Sequence, residues 1–321
     1  MLFYEKYPLG LLHITQQVNL FSPLKKYNIY KQKGENMKNA IFQTPVCKLK
    51  NFNNLFIELT AKNCNQRCKH CYIDFPLTKN VKDFISIDVI KNAIADTKSQ
   101  DLECIYLTGA EPMTHPDFNL ILRTCLKRTN VCIFTNGTFI NEKKARFLRR
   151  VEDEGTNEII FKLSIDHYNE IKNDDLRGRG AFRQTIYAFK SLAKYGFSPI
   201  LCVTNYYKED ESVIKTEFQK IFNNIGYNAF DTTLLINEYF DKNKAYDENF
   251  KRTVSRLDCE YGRILTAKGV YTCPFLANDH RGRCGSTFQD FAKHNTLETD
   301  FCSICQQNKH QFFGINFELF K

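Results

Sequence analysis

A parallel α/β fold follows from three features between residues 55 and 237: short apolar runs recur, amphipathic segments separate them, and polar residues gather where the runs end. The runs are Leu55 to Leu59, Cys104 to Leu107, Val131 to Phe134, Ile159 to Leu163, Pro199 to Val203 and Thr232 to Ile236. Each is short and almost unbroken, as a strand buried on both faces requires. The segments between them are Ile87 to Asp96, Asp117 to Arg128, Asn141 to Val151, Ala181 to Tyr195 and Glu211 to Asn224. Their apolar residues return at helical intervals, as Phe182, Ile186, Phe189 and Leu192 do. The first five strands run into Thr60, Thr108-Gly109-Ala110-Glu111, Thr135-Asn136-Gly137, Ser164-Ile165-Asp166 and Thr204-Asn205. That collects polar groups on one rim, where barrel-like α/β proteins hold their sites.

Composition narrows the class. With 321 residues, 43% of them apolar, the chain can bury one large core, or a core and a small second domain. Only 14 Gly and 8 Pro exclude collagen-like and low-complexity classes. The apolar stretch Pro8 to Ile14 is too short for a membrane span, so a soluble, cytoplasmic chain with no membrane partner is expected. Residues 1 to 50 hold eight Lys against Glu5 and Glu35, giving +6 of the formal net charge of +9. These lysines are scattered, which favours a solvated basic extension over residues 1–52 rather than a nucleic-acid arm; Met37 is an alternative start. The second basic stretch, Lys143 to Arg150, alternates with apolar residues as the solvated face of a helix does.

The 13 cysteines are an odd number without a signal peptide, which argues against a disulfide framework and leaves metal binding, catalysis or buried thiols. After the first strand, Asn63-Cys64-Asn65-Gln66-Arg67-Cys68-Lys69-His70-Cys71-Tyr72 brings three thiolates to one loop in a C-x3-C-x2-C spacing. Structural zinc prefers four ligands in paired C-x2-C knuckles. Three thiolates suit a cubane iron–sulfur cluster with one iron left open.

This spacing resembles the radical S-adenosylmethionine (radical SAM) superfamily, and so do other strand tips. Gly109-Ala110-Glu111-Pro112 is similar to the Gly-Gly-Glu element that holds the methionyl amino group of SAM, with Ala110 departing from the second Gly. Ser164 and Arg177 resemble residues that bind the SAM carboxylate and ribose region, and Asn136 lies in a third-strand tip of the family's type. The same resemblance implies that Tyr72, just after the third cysteine, contacts adenine, while His70 and His115 receive no role. The resemblance implies a partial (β/α)6 TIM-like barrel over residues 53–238, a linker over 239–258, and a small cysteine-rich module over 259–321. It also implies a [4Fe–4S] cluster held by Cys64, Cys68 and Cys71, cleavage of SAM to a 5′-deoxyadenosyl radical, and hydrogen abstraction. A peptide or small-molecule substrate, with peptide or enzyme maturation favoured, and an electron donor such as flavodoxin or ferredoxin go with it.

Beyond the barrel, Cys259, Cys273, Cys302 and Cys305 are similar to the Twitch module, a shortened relative of the SPASM extension. Three residues separate Gly269 from Cys273 where the pattern usually has four. The resemblance implies an auxiliary [4Fe–4S] cluster on these four, with tetrahedral zinc as the alternative and Cys284 as a substitute ligand. Cys47, Cys104, Cys125, Cys132 and Cys202 read as core or surface thiols. From another functional class, a cluster-bearing electron carrier or a zinc-stapled binding module accounts for the cysteines but leaves Glu111, Ser164 and Arg177 without a purpose.

Overall fold

The computed structural model describes residues 46–49, 53–71, 83–98, 100–239, 256–259, 263–293 and 296–298. The expected barrel strands are β2 (Asn54–Glu58), β3 (Cys104–Thr108), β4 (Asn130–Thr135), β5 (Ile159–Ile165), β6 (Ile200–Asn205) and β7 (Leu234–Glu238), preceded by β1 (Val46–Leu49). They pair in parallel and in chain order from β2 to β7. Crossovers carry α1 (Ile87–Asp96), α2 (Phe118–Leu126), α3 (Glu142–Glu152), α4 (Glu170–Arg177), α5 (Ala181–Lys194) and α6 (Glu211–Asn224). Parallel pairing requires such long returns, and the helices cover the outer face that the return creates. The fold is α/β, a partial TIM-like barrel.

Side chains alternate across each strand, so the sheet has two different cores. Leu55, Ile57, Ile105, Leu107, Val131, Ile133, Phe161, Leu163, Leu201 and Val203 face outward. There they pack against helix residues such as Ile90, Ile121, Leu148, Phe189 and Phe218. The opposite face carries Phe56, Cys104, Tyr106, Cys132 and Ile264 in a separate cluster. In it the Phe56 and Tyr106 rings stack with centroids 4.4 Å apart. Helix starts are fixed by side-chain caps: Ser86 accepts from Asp88 N, Asn141 from Lys144 N, and Asp210 from Ser212 N.

The short helix α4 was not anticipated, because its eight residues include the 80%-exposed Ile171 and carry little apolar periodicity. Its ends are nonetheless written in the sequence. Asn169 caps it by accepting from Ile171 N and Lys172 N, and Gly178, at φ 105°, ends it. Asp174 then accepts from Gly180 N and Phe182 N, which starts α5 and fixes the elbow where Arg177 stands.

The pattern break after Asn237 does not end the sheet. Strands β9 (Ile264–Thr266), β10 (Gly269–Tyr271) and β11 (Arg283–Gly285) extend it beyond β2, with β9 parallel to β2 and the other two pairings antiparallel. Gly269 makes this possible: it sits at φ +125°, where a Cβ would lie 2.3 Å from Gly285 O. A second sheet joins β1, parallel, to β8 (Arg256–Cys259) and, antiparallel, to β12 (Thr296–Glu298). Val46–Leu49, expected within a solvated extension, is thus a strand. The rest of the basic extension, most of the 239–258 linker, Tyr72, Cys302 and Cys305 lie outside the described residues.

Candidate functional site

The three-cysteine loop is sewn onto the rim before its cysteines are placed. Thr60 bridges to Phe84. Beside it Asp83 accepts from Thr60 Oγ1 at 2.6 Å, Ala61 N at 2.6 Å and Asn63 Nδ2 at 2.5 Å. The tip of β3 holds the same segment, Ala110 N donating to Thr60 O and Glu111 N to Asn63 O. Gly109, at φ +130°, permits this approach, since a Cβ there would stand 2.3 Å from Thr60 O. Farther along, Lys69 N donates to Leu176 O, which ties the loop to α4.

Cys64, Cys68 and Cys71 line one cavity of about 300 Å³ together with Gly109, Ala110, Glu111, Asn136, Ser164 and Arg177. Hence nine of the expected site residues share a single space. Donors point at the sulfurs: Gln66 N lies 3.3 Å and Asn136 Nδ2 3.8 Å from Cys64 Sγ, and Arg177 Nη1 lies 4.0 Å from Cys68 Sγ. Burial pushes the Cys64 thiol up and the Cys68 thiol up to about 11. Burial thus opposes the thiolate form of both, and a positive metal centre is what would draw out the thiolates. Among the described residues no three His, Cys, Asp or Glu crowd around one ion. A cubane takes one thiolate per ligated iron and suits a wider spread.

Glu111 is fully buried at the end of β3. Its Oε1 accepts from Thr135 Oγ1 at 2.8 Å and Met113 N at 3.1 Å, and its Oε2 from Asn136 N at 2.8 Å. Burial outweighs these donors and raises the carboxyl to about 7. An arriving cation is the partner that would restore its charge. Asn136 bridges the two halves of the rim, donating to Asn65 Oδ1 while Thr138 donates to its Oδ1. Arg177 stands with Nε 2.6 Å from Asp166 Oδ2, and His70 Nε2 is 3.3 Å from the same oxygen. Burial opposes the Arg177 charge, and Asp166 and Cys68 more than offset it, so its pKa is raised. For His70 burial prevails over Asp166 and lowers the pKa.

Residues 59–211 match the profile of the Radical SAM superfamily. The chain belongs to that superfamily. Membership implies a [4Fe–4S] cluster and SAM as cofactors. An AdoMet-dependent heme synthase of Methanosarcina barkeri is 30% identical over 176 residues, 54% of this chain and 48% of that protein. Mycofactocin maturase MftC of Mycobacterium tuberculosis is 27% identical over 138 residues, 43% of this chain and 34% of that protein. The chain thus spans about half the length of the first relative and a third of the second. Among solved structures, native anSMEcpe with bound AdoMet aligns with a TM-score of 0.53 at 16% identity, covering 81% of this chain and 82% of that one, a likeness of fold. No helix among the described residues is long and apolar enough to cross a membrane.

The C-terminal cysteines are seen in part. Cys273 follows β10 and is buried, beside Pro274 and Phe275 on the cavity wall. Cys284 is half-buried with Sγ 3.7 Å from Gly282 O, and of Cys259 only the backbone, in β8, is described. Cys202, expected among the core thiols, is half-buried and lines the cavity beside Ser164, its register partner on the next strand. Sequence reasoning left out Glu58, Lys162 and Asn237, which also line it. The signal for Lys162 was present as the one charge inside the apolar run Ile159 to Leu163.

Proposed function

We propose that the chain is a radical SAM enzyme that takes hydrogen from a peptide or small-molecule substrate, with peptide or enzyme maturation favoured. The observation that supports it is the convergence of Cys64, Cys68, Cys71, Glu111, Ser164 and Arg177 on one cavity at the strand tips. When bound, the cluster and SAM would supply an electron to the sulfonium bond and so the 5′-deoxyadenosyl radical. The chain's own part is positional. Three thiols would hold three irons and leave the fourth for SAM, and Glu111 is placed to take the methionyl ammonium while Thr135 and Asn136 fix its two oxygens. Asp166 holds Arg177 beside Cys68, near where the SAM carboxylate or ribose would lie. Phe56 and Phe134 give the cavity an apolar wall that excludes water from a reactive species. The two curated relatives support a substrate from cofactor or maturation chemistry. Flavodoxin or ferredoxin would serve as electron donor, in the cytoplasm.

Anaerobic reconstitution, dithionite reduction and chromatography test this reading. 5′-Deoxyadenosine is expected from wild type and not from a Cys64→Ala, Cys68→Ala, Cys71→Ala variant, and no product above that control would overturn it. We assign Cys259, Cys273, Cys302 and Cys305 to an auxiliary [4Fe–4S] cluster. Iron near eight per chain supports that assignment, whereas about four with one zinc gives the module to zinc.

A further inference from the structure

The residues expected at SAM that line the cavity come from the ends of β3 and β4, from β5 and from α4. The wall that β6 and β7 give to the same cavity supplies none of them. On these two strands Val203 and Ile236 turn outward into the helix-packed core, so the residues that follow, Thr204 and Asn237, turn inward to the cavity. Thr204 and Asn237 are register partners on neighbouring parallel strands, which sets them about 4.8 Å apart. Asn237 is 8% exposed, and its Oδ1 is shut off from solvent with no hydrogen-bond partner. A buried amide oxygen without a donor has given up its water for nothing, a loss that a Leu of similar volume would avoid. On a cavity wall such an acceptor is fitted to a donor that arrives from outside the chain. Two residues farther along, Tyr206 and Tyr239 stand with ring centroids 4.8 Å apart, and Tyr239 also lines the cavity, so an aromatic surface adjoins the polar pair.

Resting on the reading that substrate enters this cavity, we propose that Asn237 and Thr204 bind a neutral substrate group that carries a hydrogen-bond donor beside an acceptor, a carboxamide being the type. Asn237 Oδ1 accepts the N–H, the Thr204 hydroxyl donates to the carbonyl oxygen, and Tyr239 packs against the apolar part attached to them. In a carboxamide one N–H and the oxygen share an edge, which two side chains standing side by side can meet together. Both side chains are neutral, so the pair offers no counter-charge to an ion and selects a neutral group.

Ligand-observed NMR titration of the anaerobically reconstituted protein, with and without SAM, tests the pair with three probes of one shape. Benzamide carries donor and acceptor, benzoate only acceptors, and benzamidinium only donors. Benzamide should bind about tenfold more tightly than either ion. Asn237→Leu should abolish its advantage over benzoate with SAM affinity and iron content unchanged, and Asn237→Asp, which keeps the acceptor, should retain it. Thr204→Val, which reads the pair even if Asn237→Leu does not fold, should weaken benzamide about threefold. Benzamide binding no tighter than either ion, an undiminished advantage in Asn237→Leu, a parallel loss of SAM affinity there, or unchanged benzamide binding in Thr204→Val would each overturn the proposal. A protein that takes up neither iron nor SAM refutes the enzyme reading alone, because the amide preference and its loss are also read without cofactor.

Discussion

Phe161, Lys162 and Leu163 stand side by side on β5 and serve opposite faces of one sheet. The outward pair joins an aliphatic and aromatic core that runs from α1 to α6, whereas the inward residue meets Phe134, the cavity and the polar rim above it. Outside, close packing alone is asked of each side chain, and volume decides its worth. Inside, buried carboxyl, thiol, amide and ammonium groups are held where water would have been the better solvent, which costs stability and leaves chemistry available. The teaching is that alternation along a strand separates what holds this fold together from what its cavity does.

The largest test of that division is Phe161→Ala, which should cost about 3–5 kcal/mol in anaerobic urea unfolding, while the volume-conserving Lys162→Met one residue on should cost less than about 1.5 kcal/mol. Equal costs would make Lys162 part of the structural core. Next is the pH dependence that the inner face imposes. The folded state holds the Glu111 proton up to about 7, whereas the unfolded chain releases it near the usual carboxyl value. Stability from this group is thus fully present at acid pH and is lost as the pH rises to about 7, a span on the order of 3 kcal/mol. Glu111→Gln should flatten that slope and gain on wild type toward neutral pH; identical slopes in unfolding at stepped pH would contradict the buried carboxyl.

At the rim, Asp83→Asn replaces an acceptor of three hydrogen bonds by a group that repels at least one donor. A loss of about 1.5–3 kcal/mol is expected, together with faster release of loop-bound iron to a chelator, and unchanged release would detach Asp83 from the cysteine loop. Smallest is Asn141→Ala at the outer start of α3, where losing the cap to Lys144 N should lower stability by about 1 kcal/mol without altering iron content.

Much of this was readable from residue order. Runs such as Leu55 to Leu59 and repeats such as Phe182, Ile186, Phe189 and Leu192 announce strands and helices, because burial on a regular backbone imposes a period on the sequence. The C-x3-C-x2-C loop and the polar strand ends marked the rim for the same reason, as ligands to one centre must sit within one turn or on neighbouring tips. What the chain does not spell out is contact between distant residues. Helix α4 escaped notice because caps, not apolar spacing, define its eight residues. The return of β9 to the edge of β2, the clasp of Asp83 on Thr60 and Asn63, the Asp166–Arg177 pair beside Cys68, and the placing of Glu58, Lys162 and Asn237 on the wall of one cavity all depend on barrel curvature and register. Periodicity fixes which face a side chain takes, a local property of the backbone. Only the curved arrangement of strands decides which faces look at each other, and so which groups lose water together and act as one site.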